Sequence, residues 1–263
     1  MTRLPSVDWE PSCEPLERVD VLGIPVHLAA DYGLWLRQRA AQSLGTHVVT
    51  LNSEMTIQAL EVAELGQIIR KADLVVPDGA GITLYLRFLG RGNYHAPGIE
   101  LVESLLATCG DWPVFFLGGA PGVADQAVAY WQRRRPDLVV TGTQHGYLNP
   151  ELEAELERRL QALQPCIILV ALGVPRQEVW IRDHRHLCPQ AIWIGVGGSF
   201  DIWAGRKTRA PRWMRKLYLE WAYRLYKEPW RWRRMLALPL FAWRALVPAL
   251  LGRIPAPKPP TRS

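Results

Sequence analysis

From Val19 onward, short apolar runs alternate with longer stretches in which apolar residues recur at helical spacing. VDVLGIPVHLA (Val19–Ala29) predicts a short strand or hairpin, and Asp31 to Ser43 a helix. HVVTLN (His47–Asn52) predicts a strand, Glu54–Lys71 one helix, DLVVP (Asp73–Pro77) a strand, and 81–89 a helix. Ile99–Cys109 reads as helix, PVFFLGG (Pro113–Gly119) as strand, and Val123–Arg135 as an amphipathic helix with a basic end. LVVTGT (Leu138–Thr143), CIILVALG (Cys166–Gly173) and AIWIGVGG (Ala191–Gly198) predict three more strands, with helices over Glu151–Leu163 and Arg176–His186 between them. Uninterrupted apolar strands separated by helices indicate a parallel sheet covered on both faces. The expected fold is therefore α/β: a Rossmann-like parallel sheet with helices on both faces, followed by a basic helical C-terminal appendage. Ligands in such sheets bind at the carboxyl ends of the strands, where Asp78, Gly118, Gly119, Gly173, Gly197 and Gly198 fall.

After Gly205 the pattern changes. The segment to Leu250 predicts two or three helices broken near Pro229, Pro239 and Pro248, and IPAPKPPTRS a proline-rich disordered tail. The expected units are a lead-in over 1–18, a core over 19–205, an appendage over 206–250 and a tail over 251–263.

Composition alters this picture in one place. The chain has 263 residues, 49% hydrophobic and 21% charged, without a compositional mark of disorder. Cys13, Cys109, Cys166 and Cys188 lack C-x-x-C spacing, which points away from a disulfide framework or zinc site. The opening MTRLPSVDWEPSCEP has no apolar core, so no signal peptide is expected, and no apolar run is long enough to span a bilayer. The net charge of +6 is uneven: Arg206 to Arg234 holds eleven Lys/Arg against Glu220 and Glu228. Six of the twelve tryptophans lie from Trp203 onward. A solvated basic face needs no tryptophan. Nucleic-acid binding is one reading; a helical segment lying in a membrane interface fits the Arg, Trp and Leu mixture best.

The chemistry-bearing motifs are short. LGGAPG (Leu117–Gly122) and GVGGSFD (Gly195–Asp201) follow strands and open helices, where free N–H groups could cradle phosphate; either could equally be a tight structural turn. There is no G-x-x-x-x-G-K-[ST], no G-x-G-x-x-G and no G-x-S-x-G. No D-x-D pair is present to hold Mg²⁺, so leaving-group charge on a nucleotide sugar would fall to arginines and backbone amides. His184 and His186 stand two apart, which does not put them on one helix face. In VVPDGAG, Asp78 admits two readings: a cap for the next helix, or an acid–base group at the sheet edge.

TLNSEM, ADLVVPDGAG, FFLGGAPGVA, HGY, LVALGVPRQEVWI, IGVGGSFD and the RAP…KEPWR…RRM segment together resemble the WecG/TagA/CpsF glycosyltransferases, in register from about Val19 to Leu250. The resemblance implies a metal-independent, inverting enzyme without a cofactor. Its expected donor is a UDP-sugar, commonly of N-acetylmannosamine or its uronic acid, and its acceptor an undecaprenyl-diphosphate-linked sugar. The expected location is cytoplasmic, peripheral at the inner face of the plasma membrane, held by residues 206–250, with homo-oligomerisation possible and no nucleic acid bound. By motif, Asp78 is implied as general base with Thr50 beside the reacting centre. Asn52, Gln177 and Tyr147 are implied as substrate contacts beside the glycine turns Gly118–Gly119 and Gly197–Gly198. Arg224, Arg231 and Arg234 are implied to reach the diphosphate. His95 and Glu100 stand where the family usually has arginine and aspartate, and a histidine at 95 carries charge only when protonated. The alternatives are another UDP-hexose such as glucose, or a non-catalytic membrane- or nucleic-acid-binding module.

Overall fold

The computed structural model describes residues 15–92 and 94–250. Most of the expected lead-in and the whole proline-rich tail lie outside the described residues. The chain opens with an antiparallel hairpin, β1 (Glu17–Val21) and β2 (Ile24–Leu28), then α1 (Tyr32–Ala41). Six strands follow: β3 (Thr46–Leu51), β4 (Leu74–Pro77), β5 (Val114–Gly118), β6 (Val140–Gln144), β7 (Ile167–Ala171) and β8 (Ile192–Gly195). They form one parallel sheet in the order β4-β3-β8-β7-β5-β6. Between β3 and β5 run α2 (Ser53–Glu61), α3 (Ala63–Lys71), α4 (Gly79–Phe88) and α5 (Gly98–Thr108). Later come α6 (Val123–Arg134), α7 (Pro150–Leu163), α8 (Arg176–His184) and α9 (Ser199–Trp203).

Successive strand residues serve opposite faces, and the apolar runs are buried on both. Val48, Val76, Phe116, Leu169 and Ile194 point to one face and pack under α1, α5, α6 and α9. The alternate residues divide the other face into two clusters. Val49, Leu51 and Val75 pack with the hairpin and α2 to α4; Phe115, Ile168, Val170 and Trp193 pack with α7 and α8.

The sequence expectation needs two corrections. Glu54–Lys71 is two helices, not one: Val62 turns extended (φ −108°, ψ 99°) between α2 and α3. The appendage consists of α10 (Arg212–Lys216), α11 (Glu220–Lys227), a short turn at Pro229, α12 (Trp232–Met235) and α13 (Ala237–Leu250). Pro239 and Pro248 do not break α13. Pro239 occupies its first turn, where the missing N–H has no helical partner to lose, and the helix continues through Pro248 to its end. Nor does α13 simply lie away from the core: Phe241 and Ala245 are buried in the cluster of α2 and α4.

Candidate active site

At the carboxyl ends of β3, β4 and β8 lies a cavity of about 600 Å³, closed on its other side by the basic segment. Thr50 ends β3. Its hydroxyl donates to the Gly195 carbonyl at 3.3 Å, and its side chain lies against the backbone of Gly98, where a Cβ would collide. Asn52 caps α2, its Oδ1 accepting the Met55 N–H at 2.9 Å. That fixes the residue and leaves its amide NH₂ to the cavity.

Asp78 follows β4 and occupies the N-cap position of α4 without a side-chain capping bond. Its carboxyl reaches the Gly79 amide at the start of α4 without making the usual capping bond further into the helix. Burial raises its carboxyl to about 6, against the opposing pull of Arg224 and the Gly98 amide. A carboxylate that exchanges its proton near neutral pH suits a general base. His95 shares the cavity, its Nδ1 2.9 Å from the Thr83 hydroxyl and its ring edge-on to Tyr218 with centroids 5.3 Å apart. Burial lowers its pKa, outweighing Glu100 and Glu220. His95 is therefore a neutral hydrogen-bonding group at physiological pH, not a cation.

Gln177, Gly197 and Gly198 line the same cavity, and the Gln177 Oε1 accepts from the Gly197 N–H at 3.1 Å. Opposite stand Arg224, Arg231 and Arg234. Each already holds a carboxylate: Arg224 with Glu220 at 2.6 Å, Arg231 with Glu228 at 2.7 Å, Arg234 with Glu54 at 2.5 Å. An anionic ligand thus enters a charged lattice rather than a set of bare cations. The Arg231 Nε is buried without a hydrogen-bond partner.

Gly118, Gly119 and Tyr147 are not part of this cavity's lining. Gly118 lies so close to the Ala171 carbonyl that no side chain fits. Gly119 bonds Ala171 and Gly146 through its backbone, and Tyr147 is exposed. Sequence reasoning missed Arg206, Lys207, Arg209, Arg215 and Tyr218, all on the cavity wall. Arg209 and Arg215 both grip Glu100 at 2.7 Å, so one unusual position on α5 anchors the segment. In a run of eleven basic residues no one-dimensional signal separates these from their neighbours. His184 stacks on Trp180 at 4.1 Å and faces Glu153 and Glu157. Among the described residues no group of three or more His, Cys, Asp or Glu is placed to hold a metal ion.

With this geometry in view, the comparisons with known proteins are decisive. The model of the glycosyl transferase WecG/TagA/CpsF family matches residues 19–254. The chain belongs to that family. It is 35% identical over 208 residues to an N-acetylglucosaminyldiphosphoundecaprenol N-acetyl-beta-D-mannosaminyltransferase of Bacillus spizizenii, covering 78% of this chain and 80% of the relative. The protein of the same name from Bacillus subtilis is 32% identical, with the same coverage. This WecG/TagA/CpsF member is a glycosyltransferase, and the cavity at its sheet edge is the candidate active site.

Proposed function

We propose that the enzyme transfers N-acetylmannosamine, or a close relative of it, from UDP to a diphosphate-linked N-acetylglucosamine on an undecaprenyl carrier, in cell-surface polysaccharide synthesis. The carrying observation is the buried Asp78 carboxyl, its pKa raised to about 6, sharing one cavity with a wall of arginines. Asp78 takes the proton of the acceptor hydroxyl as that oxygen bonds to the anomeric carbon. The bond from this carbon to the UDP oxygen breaks on the opposite face, so configuration inverts, and UDP leaves with the electron pair. Arg224 and Arg231, with Arg234 behind, meet the charge developing on the diphosphate. The transfer is metal-independent in this reading, supported by arginines where a metal-binding carboxylate pair would otherwise stand. Asn52, Gln177 and the Gly197–Gly198 turn orient the sugar, and neutral His95 hydrogen-bonds rather than neutralises.

The acceptor is a lipid, and the segment suits a membrane surface. Trp213, Trp230, Trp232 and Trp243 are exposed among its arginines, the composition of an interfacial segment. Among the described residues no helix is long and apolar enough to cross a bilayer. The test is UDP release from a panel of UDP-hexosamines and UDP-hexoses, given a short-chain diphospholipid-linked N-acetylglucosamine, with and without EDTA. Release from UDP-N-acetylmannosamine that survives chelation supports the proposal. Release only from UDP-glucose would replace the donor, and loss on chelation with Mn²⁺ rescue would overturn the arginine account.

A further inference from the structure

Two buried polar residues lie beneath the site and take no direct part in the chemistry above. Glu178 is wholly buried and His47 nearly so, although they stand 131 positions apart in sequence. His47 sits on β3 in register with Trp193 of β8, among apolar neighbours on that sheet face. Its Nε2 lies 2.8 Å from the Glu178 Oε2. The other carboxylate oxygen, Oε1, accepts from the Gln177 Nε2 at 2.9 Å, and the Gln177 Oε1 accepts from the Gly197 N–H at 3.1 Å. The chain of contacts thus ends on the turn that floors the cavity. Gly195 leaves room for it: a side chain there would run into both Gln177 and Glu178.

An ion pair or polar pair in this place is a poor means of stabilising a fold. Apolar residues of similar volume generally do as well or better, because burying charge carries a desolvation cost. What the pair does provide is direction. A side-chain amide has a donor end and an acceptor end of nearly equal shape, and only its neighbours decide which end points where. A carboxylate accepts and cannot donate, so Glu178 compels the Gln177 NH₂ toward itself and its oxygen toward Gly197. We propose that Glu178, fixed by His47, is a positioning residue. It locks the Gln177 amide in one orientation, and through that amide it sets the Gly197–Gly198 turn against which the donor sugar is held. The consequence for turnover rests on the transferase reading; the orientation itself does not.

Two variants of the full chain test it: Glu178→Gln, nearly isosteric, and the apolar pair Glu178→Met/His47→Leu. Each is measured for unfolding temperature, for hydrogen exchange at the Gly197 amide, and for kcat and KM in UDP release. A glutamine at 178 can present either end of its amide, so orientation is no longer compelled. Both variants are expected to fold, the apolar pair with an unfolding temperature at or above wild type. Gly197 exchange should rise at least several-fold in both. The kcat/KM should fall about 10-fold in the first and about 10²-fold in the second, the scale expected of a slightly misplaced binding group. Unchanged Gly197 exchange in a folded variant overturns the orientation claim, whatever the enzyme acts on. Raised exchange with wild-type kcat and KM overturns the link to turnover. If the apolar pair does not fold, the glutamine variant alone decides. A wild type that releases no UDP from any donor would defeat the transferase reading while leaving the exchange result to judge the orientation.

Discussion

In the sheet, Val48, Val76, Phe116 and Ile194 are wholly buried, whereas from Arg206 to Leu236 no residue is, and only Ala210 comes close. α10, α11 and α12 bury no residue at all. The segment is held over the sheet edge by charge: Arg209 and Arg215 on Glu100, Arg234 on Glu54, and Lys207 on Asp201. Partly exposed pairs of this kind contribute roughly 0–1 kcal/mol each. Only α13 joins by burial, through Phe241 and Ala245. One region is thus fixed by apolar contact and carries Asp78, the proposed base. The other is strapped on by ion pairs and one apolar helix, and carries the cations. The candidate active site is the seam between them.

The sharpest separation of the two should come from Phe241→Ala. The ring is buried edge-on to Tyr85, with centroids 6.1 Å apart, and its loss should cost about 3–5 kcal/mol. Denaturant unfolding checks this, while kcat on a soluble acceptor should stay within about threefold. A stability loss below about 1 kcal/mol would mean that α13 is not the strap.

The opposite pattern is expected of Arg224→Ala and Arg231→Ala. Each should lower kcat by about 10²–10³-fold, the worth of one donor aimed at developing charge. The unfolding temperature should move little, since the carboxylate that each arginine hydrogen-bonds is a partly exposed partner. Arginine variants with normal kcat would reduce the segment to an anchor.

A smaller effect separates function from stability at Asp78 itself. Burial raises its folded pKa from 3.8 to about 6, so the stability linked to its protonation is present below the unfolded value and lost as pH rises through about 6. At pH 7.5 Asp78→Asn should therefore melt at or a few degrees above wild type. The difference should shrink toward pH 4, where the wild-type side chain is protonated too. Thermal melts at the two pH values check the sign; a lower melting temperature for the asparagine at pH 7.5 would contradict it.

The same contrast explains what was legible in the sequence. Runs such as CIILVALG and PVFFLGG declared the parallel sheet because strands buried on both faces read as nearly continuous apolar runs. Asp78 was legible for a related reason: a polar residue ending such a run lies at the edge where ligands bind, whereas Thr50 stood out only through the family resemblance. The break at Val62 was hidden, because EVAEL carries no glycine or proline to mark it. The contact of Glu178 with His47 was hidden, since the two are 131 positions apart along the chain. The cavity-facing role of Arg209 and Arg215 was hidden among equal charges. Their partner Glu100 was visible only as a departure from the family pattern, with no sign of what it would grip.

The central claim is that Asp78 is the base at this seam. Its most direct test is the pH dependence of kcat for wild type and Asp78→Asn, from pH 5 to 8.5, with UDP-N-acetylmannosamine and a short-chain diphospholipid-linked acceptor. The wild-type rate should climb as pH rises through about 6, where the buried carboxyl loses its proton. The asparagine variant should bind UDP normally, run about 10²–10⁴-fold slower at pH 7.5, and show no such rise. An asparagine variant with near-normal turnover and the same pH profile as wild type would contradict the account.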